Sequence, residues 1–340
     1  MLLRGQDMQR SIRILRIALP VVILAFVALI VFSWTRKDSK RNQAVLPPVA
    51  GSRGSEQPLL ESKQFEDTQT IGGRVVSRIR ATRVVAYESN WSTLEGVELT
   101  IYRANGKTYE LSCPQAQFNS VTKHADAKGG VKVTSTDGIE IQTAEIQYDG
   151  NRLTNDIPVQ FKVDRWTGNG GALDLDVGGE TLKLFKKVTA TMTPVLPTES
   201  PMTLAGEEAL FRRKDNDVAF TQRVTMRRLA DSLAADRIVG RFSQDRKTLV
   251  ALEGTGAVDI VLASTDGGPM QHDASGRKHI TCDRFYSELG ADGQISAINA
   301  VGDAQYAHAV MAGPPVRDLV AKSFRFAIAN KRVSEMKADW

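Results

Sequence analysis

The sequence predicts an all-β protein that follows a single N-terminal transmembrane helix. Three features predict this fold class: a long uncharged apolar run near the start, a two-residue alternation of apolar and polar side chains over most of the remainder, and Asn-Gly or Asp-Gly dipeptides between the alternating runs. Aromatic residues make up only 6% of the 340. The core is therefore expected to consist mainly of Val, Ile, Leu and Ala, a composition that favours strands.

The apolar run from Ile17 to Trp34 predicts a membrane-spanning helix. It contains 18 residues without a charge, twelve of which are Leu, Ile, Val or Phe. These twelve side chains favour insertion by about 4–7 kcal/mol. A cleaved signal peptide is the alternative, but no cleavage site of two small residues follows the run. The residues taken to represent the anchor are Ile17, Leu24, Phe26 and Trp34.

The basic residues are concentrated around this run, four before it and four after it. The positive-inside rule therefore gives no orientation. A short N-terminal segment and a long C-terminal part favour residues 1–16 in the cytoplasm and the remainder across the membrane. Residues 1–41 carry a net charge of +6 and the whole chain +5, which leaves −1 for residues 42–340. A nearly neutral folded part argues against a nucleic-acid partner.

Two segments with proline are predicted to be linkers, and they bound two β domains. The assigned ranges are 17–34 for the transmembrane helix, 35–71 for a linker, 72–193 for the first β domain, 194–201 for a second linker and 202–340 for the second β domain. Within the second domain, the stretch from Asp236 to Gly256 is echoed from Asp283 to Gly302. Such weak repeats indicate stacked hairpins of one architecture.

Alternation in the first β domain gives one apolar and one polar face to each predicted strand. The turn dipeptides between strands are Asn105-Gly106, Asp137-Gly138, Asp149-Gly150, Asn169-Gly170, Asp266-Gly267 and Asp292-Gly293, each taken as a type I′ hairpin. Only residues 228–235 offer a short helical alternative. The apolar face consists of Val97, Leu99, Ile101, Leu111, Val131, Val133, Ile139, Ile141, Ile146, Tyr148, Val159, Phe161, Leu173 and Leu175.

Residue patterns for catalysis, cofactors or metals are weak in this sequence. His272 and His279 are seven residues apart in a glycine-rich stretch, which is more typical of a solvated loop than of a zinc site. Residues 168–171 lack the helix that a phosphate-binding glycine loop requires. We therefore expect no enzyme activity, no cofactor and no metal. Cys113 and Cys282 are interpreted as two small buried residues, with a disulfide as the alternative.

Residues 70–193 resemble the LptC family, and residues 202–310 resemble the related LptA/OstA-type repeat. The motifs that carry the first resemblance are 96–99 (GVEL), 127–133 (AKGGVKV), 144–149 (AEIQYD), 167–168 (TG) and 182–185 (LKLF). The second rests on 235–238 (ADRI) and 282–285 (CDRF). A typical LptC is about half this length, so the second β domain is a departure from the family.

The resemblance implies tandem open antiparallel β-jellyrolls that work in lipopolysaccharide export in the periplasm of a Gram-negative envelope. It implies three partners: lipopolysaccharide, the inner-membrane ABC transporter LptB/LptF/LptG, and a periplasmic LptA-like bridge protein. The fourteen apolar side chains above would then line a lipid groove, or else fill a sealed core. A membrane-anchored β domain without lipid cargo is the main alternative, and a carbohydrate-binding jellyroll is a third.

Overall fold

The computed structural model describes residues 57–194, 200–263, 277–290, 295–309, 317–329 and 332–339, and these residues form strands, turns and loops. The all-β prediction is confirmed. The predicted anchor residues Ile17, Leu24, Phe26 and Trp34 lie outside the described residues, as do His272 and the dipeptides at 266–267 and 292–293. Across the described ranges, no helix has the length and hydropathy needed to cross a bilayer.

Twenty-one strands are present in the described part of the chain. Those before the second predicted linker are β1 (Pro58–Ile71), β2 (Arg74–Tyr87), β3 (Trp91–Tyr102), β4 (Thr108–Asn119), β5 (Ala125–Ser135), β6 (Ile139–Tyr148), β7 (Arg152–Asn155), β8 (Val159–Val163), β9 (Trp166–Gly170), β10 (Ala172–Asp176), β11 (Thr181–Phe185) and β12 (Val188–Met192). Those after it are β13 (Met202–Gly206), β14 (Glu208–Arg212), β15 (Asp217–Arg228), β16 (Asp231–Phe242), β17 (Leu249–Ala263), β18 (Arg277–Leu289), β19 (Ile295–Ala309), β20 (Arg317–Ala329) and β21 (Arg332–Asp339).

The strands form an antiparallel meander that divides into two layers in the middle of the chain. Strands β1 to β6 pair in order, and then β6 pairs with β8 along residues 139–143 and with β7 along residues 147–148. One branch runs β8–β9–β12–β13 and the other β7–β10–β11–β14. We call them layer 1 and layer 2. Both branches rejoin on β15, from which the meander continues to β21.

The long strands bend where they pass from one layer to the other. Pairing is interrupted at residues 129–130 of β5, 222–223 of β15, 256–257 of β17 and 302–303 of β19. Bulges of this kind bend a strand and increase its twist. At β17, Gly256 has φ +77 and a Cβ there would lie 2.3 Å from Oδ2 of Asp236. Gly302 has φ +81, and a Cβ there would lie 2.4 Å from Oδ2 of Asp283. The repeat seen in the sequence therefore corresponds to the same strand bend, or corner, occurring twice.

The two layers face each other across one apolar core. The rings of Phe161 in layer 1 and Phe211 in layer 2 have centroids 5.5 Å apart. Buried side chains from β2 through β20 belong to this single cluster, and all described strands belong to one compact unit. Strands β12 and β13 pair directly across the second proline segment. The two-domain division of the chain stays a prediction.

Several local predictions need correction. Strand β1 begins at Pro58, inside the segment 35–71 that was predicted to be a linker. The strand has few apolar residues, and it is held by backbone pairing with β2 and by ion pairs to arginines of β2. Residues 228–235 belong to β15 and β16, with the turn between them, rather than to a helix. Asn169 and Gly170 end β9, and Gly171 connects that strand to layer 2, so this dipeptide is not a hairpin turn.

The other described dipeptides do lie in turns, but not of type I′. Only the glycines have positive φ, at +81 for Gly106, +97 for Gly138 and +97 for Gly150. The residue before each glycine instead anchors the turn through its side chain. For example, Oδ1 of Asp149 accepts a hydrogen bond from the backbone N–H of Arg152 at 2.9 Å. One left-handed residue is enough once the side chain stabilises the turn.

Candidate functional site

The fourteen predicted lining side chains come together in the first half of the apolar core. Each is buried, with exposures from 0% at Val133, Ile141 and Leu175 to 7% at Tyr148. All fourteen belong to the same cluster. The structure thus places them on one interior surface. Whether they contact a lipid stays a prediction.

Strand register lines up the interior side chains in two rows, one in each layer. In layer 1, directly paired residues continue from strand to strand across fifteen strands. Row 1 consists of Ile79, Leu99, Leu111, Val133, Ile141, Phe161, Gly168, Ala190, Leu204, Met226, Leu233, Ile260, Ile280, Tyr306 and Leu319. Apart from Gly168, every position carries an apolar or aromatic side chain, so the row is not interrupted between the two halves.

Layer 2 has a second row of fourteen positions, which is apolar except for Gly240 and the buried Ser287 and whose last member, Met336, is 39% exposed. Row 2 consists of Phe118, Ala125, Tyr148, Leu153, Leu175, Leu182, Phe211, Val218, Gly240, Leu252, Ser287, Ile298, Phe326 and Met336. Seven of the predicted lining residues stand on the two rows, and the other seven lie two positions away on the same strand faces. Adjacent strands are about 4.8 Å apart, so row 1 extends roughly 65 Å along its sheet.

An aromatic cluster fills the core at the centre of these rows. Trp166 of layer 1 lies against three layer 2 rings, with centroid separations of 6.2 Å to Phe211, 6.1 Å to Phe220 and 6.3 Å to Phe242. Phe161 completes the group through its contact with Phe211. Of these rings, only Phe161 belongs to the apolar face predicted from the sequence, because the partners are far apart along the chain and no local pattern links them.

Charged side chains meet above this aromatic cluster, where turns of layer 1 approach turns of layer 2. Arg213, with its side chain 2% exposed, has Nη2 3.2 Å from Oδ1 of Asp164 and 3.4 Å from Oδ2 of Asp137. Nζ of Lys107 lies 3.1 Å from the same Asp137 oxygen and also pairs with Glu180. Arg246 reaches Asp164 at 3.7 Å. We call this set of six residues the rim cluster.

The two aspartates of the rim cluster differ in protonation tendency. Burial raises the pKa of the Asp164 carboxyl above its ordinary value, although Arg213 and Arg246 oppose this effect. Burial also acts to raise the pKa of Asp137, but a hydrogen bond from Ser135 and the charges of Arg213 and Lys107 outweigh it, so this pKa is lowered. Asp137 is thus the more firmly ionised partner.

Polar groups elsewhere in the interior are few. Both cysteines are free and buried, so no disulfide joins them. Within the described ranges, no three His, Cys, Asp or Glu side chains are grouped so that they could hold a metal ion. His279 contacts Asp259 on the outer surface at 2.8 Å.

Comparison with known proteins identifies the family of this all-β chain from its sequence. The family model described as lipopolysaccharide-assembly, LptC-related, matches residues 21–193, just over half of the chain. The chain belongs to the LptC family. This is a family of lipopolysaccharide transport proteins with a periplasmic β-structure and an inner-membrane anchor, and it is not known to be enzymatic.

Two further comparisons apply to this LptC-family chain. It is similar to LptH, described as the LptA homologous periplasmic component of the conserved lipopolysaccharide transport device from Pseudomonas aeruginosa. The identity is 15%, the match covers 45% of this chain and 94% of LptH, and the TM-score is 0.26. No curated protein matches the sequence at a significant level.

Proposed function

We propose that this LptC-family protein carries lipopolysaccharide through the interiors of both of its halves in turn. In this proposal Ile17–Trp34 anchors the chain in the inner membrane. The first β-jellyroll accepts lipopolysaccharide from the ABC transporter LptB/LptF/LptG, and the second passes it to a periplasmic LptA-like bridge protein. The second half does part of the work that a separate bridge subunit would otherwise do.

The observation that supports this proposal best is the continuity of rows 1 and 2 across the centre of the molecule. Lipid A acyl chains cannot cross water freely, because each exposed CH₂ costs about 0.8 kcal/mol and a twelve-carbon chain on the order of 10 kcal/mol. An interior that is apolar on two facing layers, with polar outer faces, offers such chains a continuous path. Side chains of this kind accept hydrocarbon without specific polar contacts.

In the structure the interior is filled by its own side chains. Residues of the predicted lining are no more than 7% exposed, so acyl chains enter only if the two layers move apart. The outer sheet edges offer a way to extend the path, since β1 pairs only with β2, and β21 only with β20, among the described strands. Unpaired edges of this kind can receive a strand of a partner sheet.

Site-specific photo-crosslinking tests the lipid path. A photoreactive residue at Ile141 or Phe161, both on row 1, is expected to capture lipopolysaccharide in cells that produce the full chain. Matched controls at Glu140 and Lys162 are the next residues on the same strands and belong to the outer face. Labelling at the control positions without labelling at the interior positions would refute the proposal.

The closely filled core favours a second candidate, a membrane-anchored β domain that makes structural or signalling contacts and carries no lipid. Depletion of the protein separates the two candidates. Accumulation of lipopolysaccharide at the inner membrane is expected if the chain is a carrier. A normal outer leaflet after depletion supports the alternative.

A further inference from the structure

The rim cluster joins the two layers at a place where the chain itself does not. Asp137 and Asp164 lie in the β5–β6 and β8–β9 turns and Lys107 in the β3–β4 turn, all of which connect strand segments of layer 1. Glu180, Arg213 and Arg246 lie in turns of layer 2. The ion pair of Lys107 with Glu180 therefore crosses from one layer to the other. The ion pairs that Arg213 and Arg246 form with the aspartates cross in the same way.

Additional hydrogen bonds cross at the same rim. Nη2 of Arg213 donates to the backbone carbonyl oxygen of Asp137, and Nη1 of Arg165 donates to that of Lys247. Nδ2 of Asn105 donates to Oε1 of Glu180 at 2.9 Å. On the opposite side of the core, the layers are joined covalently by the bends of the long strands. The rim is thus the side on which the layers can separate without any covalent bond being broken.

The aromatic cluster lies directly below the rim cluster. A cavity of about 20 Å³ separates them, lined by Asp164, Trp166, Phe211, Arg213, Phe242 and Arg246 among others. A space of this size holds about one water molecule and no acyl chain. At the centre of rows 1 and 2 the space between the layers is occupied by the packed rings of the aromatic cluster, so an acyl chain needs the layers to separate there.

The rim is closed by contacts that are costly to bury. Nε and Nη1 of Arg213 are buried and have no hydrogen-bond partner among the described residues, and the same holds for the hydroxyl of Tyr109 nearby. Burying charges costs free energy that ion pairs recover only when every polar atom is satisfied. These guanidinium N–H groups would become available to an anion only after the two layers separate.

We propose that the rim cluster is a latch that holds the two layers together over the aromatic cluster and opens to let lipid acyl chains pass from the first half into the second. This inference rests on the proposed carrier function. It assigns Arg213, Asp137, Asp164, Lys107, Glu180 and Arg246 a positioning role in transport. The latch controls movement between the halves, not initial capture of lipid by the first half.

The test locks the rim with a cleavable cross-link. The native cysteines of the full chain are first removed by Cys113→Ala and Cys282→Ala. Two new cysteines, Arg165→Cys and Lys247→Cys, are then bridged by a disulfide-containing bismaleimide that a reductant cleaves. Photoreactive residues at Ile141 and Ile260 report lipopolysaccharide in the first and second half. With the bridge intact, we expect labelling at Ile141 and a loss of labelling at Ile260. Cleaving the bridge should restore labelling at Ile260.

A control bridge between Lys162→Cys and Thr167→Cys joins paired strands within layer 1 and should leave both signals unchanged. Labelling at Ile260 that persists with the rim bridge intact overturns the latch and leaves the carrier function in place. An absence of labelling at both reporters in the cleaved protein overturns the carrier function itself.

A second variant opens the latch instead of locking it. The double variant Lys107→Gln and Glu180→Gln removes both charges of one ion pair that crosses the rim. Because both are removed, neither residue of that pair keeps a charge without its partner. We expect labelling at Ile260 to rise severalfold. The matched control is Arg241→Gln with Glu253→Gln, an exposed pair at 3.5 Å within layer 2. Equal labelling in the latch and control variants contradicts the proposal.

Discussion

Gly168 is the one position on row 1 without a side chain, and the packing explains why. A Cβ there would lie 2.1 Å from the carbonyl oxygen of Thr189 and 2.9 Å from Cα of Ala190, both on the neighbouring strand β12. Backbone atoms in a ladder cannot move aside as a flexible side chain can. Glycine thus lets β9 and β12 approach each other at the centre of the core.

We expect Gly168→Ala to destabilise the fold by about 1–3 kcal/mol or more, the range for overpacking in a dense interior. Chemical denaturation of the purified chain measures this change. Gly170→Ala on the same strand is the control, because its Cβ would meet its nearest neighbour, Cβ of Leu184, at an ordinary 3.5 Å. Equal stability of the two variants would show that the close approach at Gly168 is unimportant.

The two cysteines should be inert in the folded protein. Burial raises the pKa of each thiol to about 11, so both stay protonated at neutral pH, and the thiolate is the reactive form. A thiol-reactive reagent is expected to modify neither under native conditions and both in denaturant. Val121→Cys, at a position 70% exposed, should react at once. Rapid native modification of Cys113 or Cys282 would contradict the buried placement.

At the scale of single strands, the sequence predicted much of what the structure contains. Alternation identified the interior faces of β3 to β6, β8 and β10, because a strand with one buried face carries that information in its own residues. The strand β1 was missed because its residues show no such face. The corners at Gly256 and Gly302 appeared in the sequence only as a repeat. That these glycines form corners could be recognised only from their close contact with aspartates of the adjacent strands.

The rim cluster and the aromatic cluster could not be predicted in this way. Arg213 and Asp137 are 76 positions apart in the sequence, and each of them taken alone is an ordinary charged turn residue. Contacts between layers depend on how the turns of one sheet meet those of the other. No periodicity along the chain records that arrangement.

At the scale of the whole molecule, the two halves share one backbone ladder. Strand β12 pairs with β13 in layer 1, and β11 pairs with β14 in layer 2. Separate domains normally meet through side chains and unfold in separate steps. Here the two halves cannot separate without breaking strand pairing in both layers, together with the packing of Trp166 against Phe211 and Phe220.

We therefore expect the two halves to unfold in one cooperative transition. Differential scanning calorimetry of the full chain should give a single peak, and Gly168→Ala should shift that peak without splitting it. Hydrogen exchange should show that β3–β6 and β16–β20 lose protection together. Two resolved transitions would support the division into domains 72–193 and 202–340 instead.

The shared ladder between β12 and β13 also fixes the stoichiometry of any handover between the halves. Two jellyrolls on separate chains must find each other by diffusion, and the fraction joined depends on how much of each the cell makes. Here the two halves are always present one to one, already aligned, at an effective concentration that dilution cannot change. Under the proposed carrier function, the alignment of this junction would therefore not depend on the expression level of any other bridge component.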